Sequence, residues 1–581
     1  MNLQTLDYTV VIVYGVFLLI LAQWVSREKA GHEKNTQDYF LAGRSLPWWA
    51  IGASLIAANI SAEQIIGMSG SAYLMGMAIA SYEWMAAITL IIVAKYLLPV
   101  FLKHEIYTMP QFLEQRFDHR VRMVMATFWL GVYVFVNLTS ILWLGSLAIN
   151  SVTGLDQTYG LLILGLFAIS YSLYGGLKAV ALTDIIQVVL LVFGGLFIAW
   201  IAMNEISGGN GAMAGFAKTL ELAPEKFDMI FTSDQPYYKD LPGISVLIGG
   251  MWIMNLSYWG FNQYIIQRAL AAKNNREAQK GIVFAAFLKM LVPILVVLPG
   301  IAAALLLPGI ENDRAYPELM KLLPVGIKGL VFAALIAAIV SSLASMTNSI
   351  STIFTMDMYR HFRPQEDNQR TLVMIGRTVA FSAMVIAMIV ARPLLGNFDQ
   401  AFQYIQEFTG FFTPGIVAIF FLGFFYKKGT ANGALAAAIG SAVLSLGFKL
   451  AWPALPFIDR VGIVRGKPLV DDVLELLVSL AEQAFQRDRG LEAAILQRLE
   501  DTANDCPQLE HVITGRRMLH GRRDFAEGPE MPCVVAALDP AEHGQLEFRP
   551  QPFRDKHRVF ARSCPRFPPV LGSRWRKIEQ Q

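Results

Sequence analysis

The chain has 581 residues, of which 55% are hydrophobic, 12% aromatic and 16% charged, with a net charge of +3. Together with a mean hydropathy of +0.45, this composition excludes a soluble globular protein and predicts an all-α polytopic membrane protein, in which the placement of charge matters more than its sum. All three cysteines, Cys506, Cys533 and Cys564, lie near the C-terminus, so no disulfide or metal framework holds the hydrophobic body.

A window near twenty residues places spans at roughly 8–26, 47–76, 79–101, 122–150, 158–174, 179–203, 243–270, 280–307, 325–359, 371–392, 400–426 and 432–452, about twelve in all. The first apolar run, Tyr8 to Val25, has no basic stretch before it and no small-residue cleavage pattern after it, which predicts a retained span instead of a signal peptide. Residues 1–46 therefore make an extra transmembrane helix and a loop, 47–426 a block of ten helices, and 427–461 one additional helix. Lys and Arg gather in loops 27–46, 102–122, 268–280, 359–370 and 426–430, which include Arg27, Lys103, Arg120, Arg122, Arg268, Lys273, Arg360 and Lys427. Such loops face the cytoplasm, which puts loops 204–242 and 308–324 and the N-terminus outside.

From residue 462 onward no stretch is apolar for twenty residues. The basic residues shift from 16 Lys and 14 Arg in residues 1–460 to 3 Lys and 15 Arg in the remainder. The segment 462–581 is thus expected to be an atypical non-membrane tail of different coding origin, a frameshift or a fusion, with one amphipathic helix at 471–486. Twelve spans return it to the outside, where an Arg-rich segment is unexpected.

Two of the spans are interrupted by polar residues. Residues 47–76 carry Asn59, Ser61, Glu63 and Gln64 midway, and residues 249–268 carry Asn255, Ser257, Tyr258, Trp259, Asn262 and Gln263. Polar groups at that depth cost a few kcal/mol and normally face a bundle interior or a water-filled path. The two segments are the first and sixth of the ten-helix block, the pattern of two inverted five-helix repeats whose broken helices meet near the midplane to form a substrate and ion site. Close helix packing through Gly and amide residues is the competing explanation for each segment alone.

The eighth span of the block stacks Ser341, Ser342, Ser345, Asn348 and Ser349. Such hydroxyls often bond back to their own helix, but the adjacent Ser341 and Ser342 also suit a dehydrated sodium ion, for which helix breaks add free carbonyls. Further polar residues within spans are Tyr82, Glu83, Asp184, Lys289, Gln403, Gln406, Glu407 and Thr409. Bland alternatives exist: Glu83 hydrated at a span end, Lys289 snorkelling to the interface, Gly410 and Pro414 as a kink. Taken together, Gln64, Glu83, Asn255, Tyr258, Trp259, Lys289 and Gln406 supply donors, acceptors and aromatic faces for a sugar.

The runs DYFLAGRSLPWWAIGASLIAANISAEQ, ASYEWMAAITLIIV, YSLYGGLKAV followed by TDIIQV, YWGFNQYIIQR, KGIVFAAFLK, AAIVSSLASM and QAFQYIQE resemble the solute:sodium symporter family, over about residues 7 to 460. The resemblance implies a LeuT-like core of inverted repeats with extra peripheral helices, sodium as co-transported ion, and uptake of a galactose- or glucose-like hexose. It assigns sodium to Ala57, Ile60, Ala338, Ser341 and Ser342, and sodium exit to Asp184. Sugar contacts fall on Asn59, Gln64, Glu83, Asn255, Lys289 and Gln406, with Tyr258 as inner gate beside Trp259, and Met68 and Phe402 closing the outer side. Ala86 stands where galactose-transporting members have a serine, and the tail replaces two further spans of the bacterial sugar members. Glu63 receives no site role.

The chain is accordingly expected to be no enzyme, to sit as a multi-pass protein in a bacterial inner membrane, and to partner the lipid bilayer, sodium and a small sugar, with no nucleic acid. Other solutes of the family, such as inositol, sialic acid or proline, are the alternative substrates. A transporter-like sensor would need a signalling domain on an inside tail, and a soluble enzyme fused to the tail would need a catalytic cluster; neither is evident in the sequence.

Overall fold

The computed structural model describes residues 3–25, 35–365, 368–395 and 400–465. The expected tail, including the helix at 471–486, lies outside the described residues. Among them the secondary structure is helical apart from one isolated bridge between Leu46 and Ala272.

An outlying helix, Thr5–Val25, precedes the ten-helix block, whose members are called core helices 1 to 10. Core helix 1 comprises Trp48–Asn59, a π turn Glu63–Met68 and Ser69–Met75. Core helix 2 begins at Ser81 and runs to Lys103 through a π turn, and core helix 3 is His119–Thr153. Core helix 6 comprises Gly250–Leu256, a π turn Ser257–Phe261 and Gln263–Leu270. Core helices 7, 8 and 9 are Asn275–Leu306, Ile327–Phe362 and Gln369–Leu395, and core helix 10 is the pair Ala401–Gly410 and Thr413–Phe425, bent by 46°. The helix Ala431–Ala451 and a short helix Phe457–Arg465 follow.

The predicted spans at 158–174 and 179–203 fall in one helical stretch, Gln157–Ile206. Its apolar portions, Gln157–Ser170 and Val180–Ile206, are core helices 4 and 5. No proline lies between residues 157 and 206, so no backbone N–H is missing to stop the helix. Eight of the described helices are long and apolar enough to cross a membrane unbroken, or nine with the bent pair. The other expected spans are the broken core helices 1 and 6 and the short core helix 4.

Burial sorts the helices into centre and rim. Within its most apolar stretch core helix 8 is 89% buried, whereas Thr5–Val25 and Ala431–Ala451 are 11% and 17% buried. Glycines set close approaches at the centre: a Cβ at Gly52 would lie 2.7 Å from the Gly281 carbonyl oxygen, and one at Gly281 would lie 2.9 Å from that of Trp48, so core helices 1 and 7 touch backbone to backbone. The first helix is tied to the centre by one carboxylate. Asp7, fully buried, accepts the N–H groups of Gly326 (2.7 Å) and Gly329 (2.9 Å) and so caps the N-terminus of core helix 8.

Burial corrects one expectation about charge and removes two bland alternatives. Arg268, predicted for a cytoplasmic loop, is 1% exposed inside the bundle. Lys289 does not snorkel and Glu83 is not hydrated: they are 1% and 2% exposed and pair with each other. A lone buried charge is too costly, so each has found its partner across 206 residues of sequence.

Candidate functional site

The two breaks are built differently. In core helix 1 the chain leaves helical geometry at Ile60 (φ −74°, ψ 70°). The Ser61 N–H turns to the Asn59 carbonyl at 2.7 Å, so the Ala57 carbonyl loses its usual helical donor. Helix resumes where Ser61 Oγ accepts the Glu63 N–H at 3.2 Å. In core helix 6, Asn262 (φ −79°, ψ 123°) caps the restarted helix by accepting the Tyr264 N–H at 3.1 Å, and the Tyr133 hydroxyl of core helix 3 donates to the same Asn262 oxygen.

A cavity lies between these breaks and core helices 2, 3, 7 and 10. Its lining includes all eight sequence-predicted sugar residues: Asn59, Gln64, Glu83, Asn255, Tyr258, Trp259, Lys289 and Gln406. Asn59 donates to the Tyr258 hydroxyl at 3.1 Å, while its side-chain amide oxygen Oδ1 is buried without a protein partner. Lys289 bonds Glu83 and stands 4.9 Å from the centre of the Trp259 ring, which meets Tyr258 edge-on at 5.1 Å. Asn255 spends one amide N–H on the Met251 carbonyl, 3.1 Å away. Ala86 lines the cavity together with Phe128, Trp129 and Val132. The combination of several polar groups with aromatic and apolar faces is what a polyol with an apolar ring surface requires.

Of the expected outer gate, Phe402 lines the cavity and packs edge-on against Tyr82 at 5.4 Å. Met68 is fully buried but is not among the lining residues. Its π turn rests on Phe402 through Gly67, where a Cβ would lie 3.0 Å from that of Phe402.

Sequence reasoning left out several lining residues, Glu63, Asn137, Asn262 and Thr409 among them. Glu63 accepts the Ser140 hydroxyl. Glu63 and Gln64, at the start of the π turn Glu63–Met68, both line the cavity.

Beside the break of core helix 1 lie the five residues expected to hold sodium. Ser341 donates to one oxygen of Asp184, and Ser54 to the other at 2.5 Å. Ser342 donates to the Ala58 carbonyl at 3.1 Å, a bond from core helix 8 to core helix 1. Further along the helix, Ser349 and Thr352 reach back to the carbonyls of Ser345 and Asn348, and both also bond Gln267 of core helix 6 at 2.9 Å. Both adjacent serines donate across to another helix, Ser341 to core helix 5 and Ser342 to core helix 1. Ala57, Ile60 and Ala338 are buried at 0–2% exposure with them, and the set offers neutral hard oxygens beside one carboxylate, the chemistry an alkali cation needs.

Comparison with known proteins gives four concordant findings. The family model described as Sodium:solute symporter family matches residues 39–440. The sodium/glucose cotransporter of Vibrio parahaemolyticus is 54% identical over 478 residues, 79% of this chain and 88% of that protein. Sodium/myo-inositol cotransporter 2 of Mus musculus is 33% identical over 483 residues, 77% and 70% of the two chains. Among solved structures, a substrate-bound, outward-open Na+-coupled sialic acid symporter matches with a TM-score of 0.70 over 80% of this chain and 95% of that one, at 24% identity, a likeness of fold. The fold is thus the LeuT-like one of two inverted five-helix repeats with peripheral helices, and the chain belongs to the sodium:solute symporter family.

Proposed function

We propose that the cavity between the two breaks is the sugar site of a sodium-coupled symporter that imports a galactose- or glucose-like hexose by alternating access. The observation that carries this reading is the convergence of eight residues, predicted from five separate stretches of sequence, on one cavity beside a cluster of neutral oxygens. Glu83, Lys289, Asn255, Gln64, Asn59 and Gln406 bind hydroxyls, Trp259 and Tyr258 cover the ring, Tyr258 gates the inner side, and Phe402 with Met68 closes the outer side. Sodium is held by the carbonyls of Ala57, Ile60 and Ala338 and the hydroxyls of Ser341 and Ser342, and leaves past Asp184. No covalent chemistry is involved, and the protein is a carrier and no enzyme.

Sodium bound between core helices 1 and 8 orders the break and completes the sugar site, and the sugar then closes the outer gate. A membrane potential contributes about 2.3 kcal/mol per charge per 100 mV to inward sodium movement. The Vibrio relative supports a bacterial inner membrane as location, and the inositol relative keeps a cyclic polyol as second substrate class. The test is uptake of radiolabelled galactose, glucose and myo-inositol into proteoliposomes under an inward sodium gradient. Wild type is expected to take up a hexose, and Ser342→Ala to abolish the sodium dependence. Undiminished sodium-driven uptake by the variant would sink the sodium assignment.

A further inference from the structure

Arg268, 1% exposed, is the largest fully buried side chain of the bundle. A guanidinium is always charged and offers five N–H donors in a fixed fork. Here the fork reaches three helices. Nε donates to Ser54 Oγ of core helix 1 at 2.9 Å, Nη1 to the Tyr264 carbonyl of its own helix at 2.7 Å, and Nη2 to Ser345 Oγ of core helix 8.

Two hydrogen-bonded limbs lead from this fork to the two serines proposed for sodium. Along the first, Ser54 accepts from Arg268 and so must send its own proton to Asp184, whose other oxygen takes the proton of Ser341. Along the second, the ring of Tyr264 lies 5.3 Å from the guanidinium carbon, and its hydroxyl donates to the Ala58 carbonyl, which also receives Ser342. In both limbs the serine proton is committed to a protein acceptor. A hydroxyl whose proton points away from a cation presents only lone pairs to it.

We propose that Arg268 is the positioning residue of the sodium site: its fork sets the direction of the chain Arg268 to Ser54 to Asp184, and with Tyr264 fixes both serine hydroxyls with their oxygens toward the ion. The guanidinium is also the counter-charge that lets Asp184 stay in the bundle interior at 0% exposure. Because Ser54 and Arg268 belong to the two broken helices, and Ser345 and Asp184 to core helices 8 and 5, the fork, with Ser54 as its link to Asp184, ties both broken helices to their neighbours. This inference rests on the sodium assignment above.

The experiment measures, in proteoliposomes containing the full chain, the sodium concentration giving half-maximal sugar uptake, and sugar affinity at saturating sodium, for wild type, Arg268→Lys, Ser54→Ala and the double variant. Lysine keeps the charge but loses the fork. Its sodium requirement is expected to rise about tenfold and that of Ser54→Ala about threefold, with sugar affinity at saturating sodium within about twofold, while the double variant is no worse than Arg268→Lys, because both substitutions cut one chain. A merely structural arginine would lower the amount of active protein without this split between sodium and sugar. Unchanged sodium activation in Ser54→Ala, or independent addition of the two effects, overturns the proposal. If Arg268→Lys is not recovered as a monodisperse protein, Ser54→Ala decides alone. Should Ser342→Ala abolish sodium dependence while these variants leave it unmoved, the relay fails and the sodium site stands; should Ser342→Ala have no effect, the site itself fails.

Discussion

The two broken helices differ in how they treat a positive charge. The break of core helix 1 turns backbone and hydroxyl oxygens toward one another with Ala57 deprived of its helical donor. At core helix 6 the break is capped by Asn262 and Tyr133, and the aromatic pair it displays faces Lys289, a cation supplied by the protein and paired with Glu83. In the proposed mechanism the first break takes its cation from solution and can therefore exist in two states, whereas the second has its cation covalently attached and stays in one. Coupling requires that asymmetry, since two permanently satisfied breaks would leave sodium nothing to order.

The largest test removes the built-in cation. Lys289→Met leaves Glu83 buried and unpaired, which is expected to destabilise the protein by about 3–5 kcal/mol and abolish sugar uptake. Adding Glu83→Gln should restore most of the thermal midpoint but not the uptake; full recovery of uptake would show that the pair serves stability only. Next in size is Gly250→Ala at the start of core helix 6. Its Cβ would fall 2.0 Å from the Ile458 carbonyl oxygen of the short helix Phe457–Arg465, so about 1–3 kcal/mol of overpacking is expected, seen as a lower melting midpoint with sodium activation of the folded fraction unchanged. The smallest effects compare the breaks directly. Asn262→Ala and Ser61→Ala each remove one cap, at about 1 kcal/mol, but only Ser61→Ala is expected to shift the sodium dependence of uptake. Equal shifts from both would erase the distinction between the breaks.

Both breaks were legible in the sequence because Asn59, Ser61, Asn255 and Ser257 sit where hydrocarbon penalises them, and the matched positions in the block gave the repeat. The ends of most helices lie within a few residues of prediction for the related reason that polarity changes sharply there. Partners were not legible. Nothing local distinguishes Lys289 snorkelling from Lys289 pairing with Glu83, 206 residues away. Arg268 stands at the junction of a span and a basic loop, and the charge rule that orients loops assigns it to the loop, although the fold draws it inward to Ser54 and Ser345. Glu63 received no role in the sequence reading, although it lines the same cavity as Gln64. Core helices 4 and 5 were read as two apolar runs, and both are found, joined in one helical stretch that no proline interrupts.

The cap that Asp7 places on core helix 8 joins residues 319 positions apart. A ribosome adding roughly 5–20 residues per second needs on the order of 16–60 s to deliver Gly326 after Asp7 has emerged. During that interval the first helix has the stretch Gln157–Ile206 to pack against, but its carboxylate waits without the N–H groups it will cap. The apolar surface that Leu6, Ile12, Val13, Val16 and Ile20 expose holds it in the bilayer meanwhile. An early helix of this kind acts as a berth, already oriented when the rod bearing Ser341 and Ser342 arrives, and its carboxylate then fixes the depth at which that rod comes to rest.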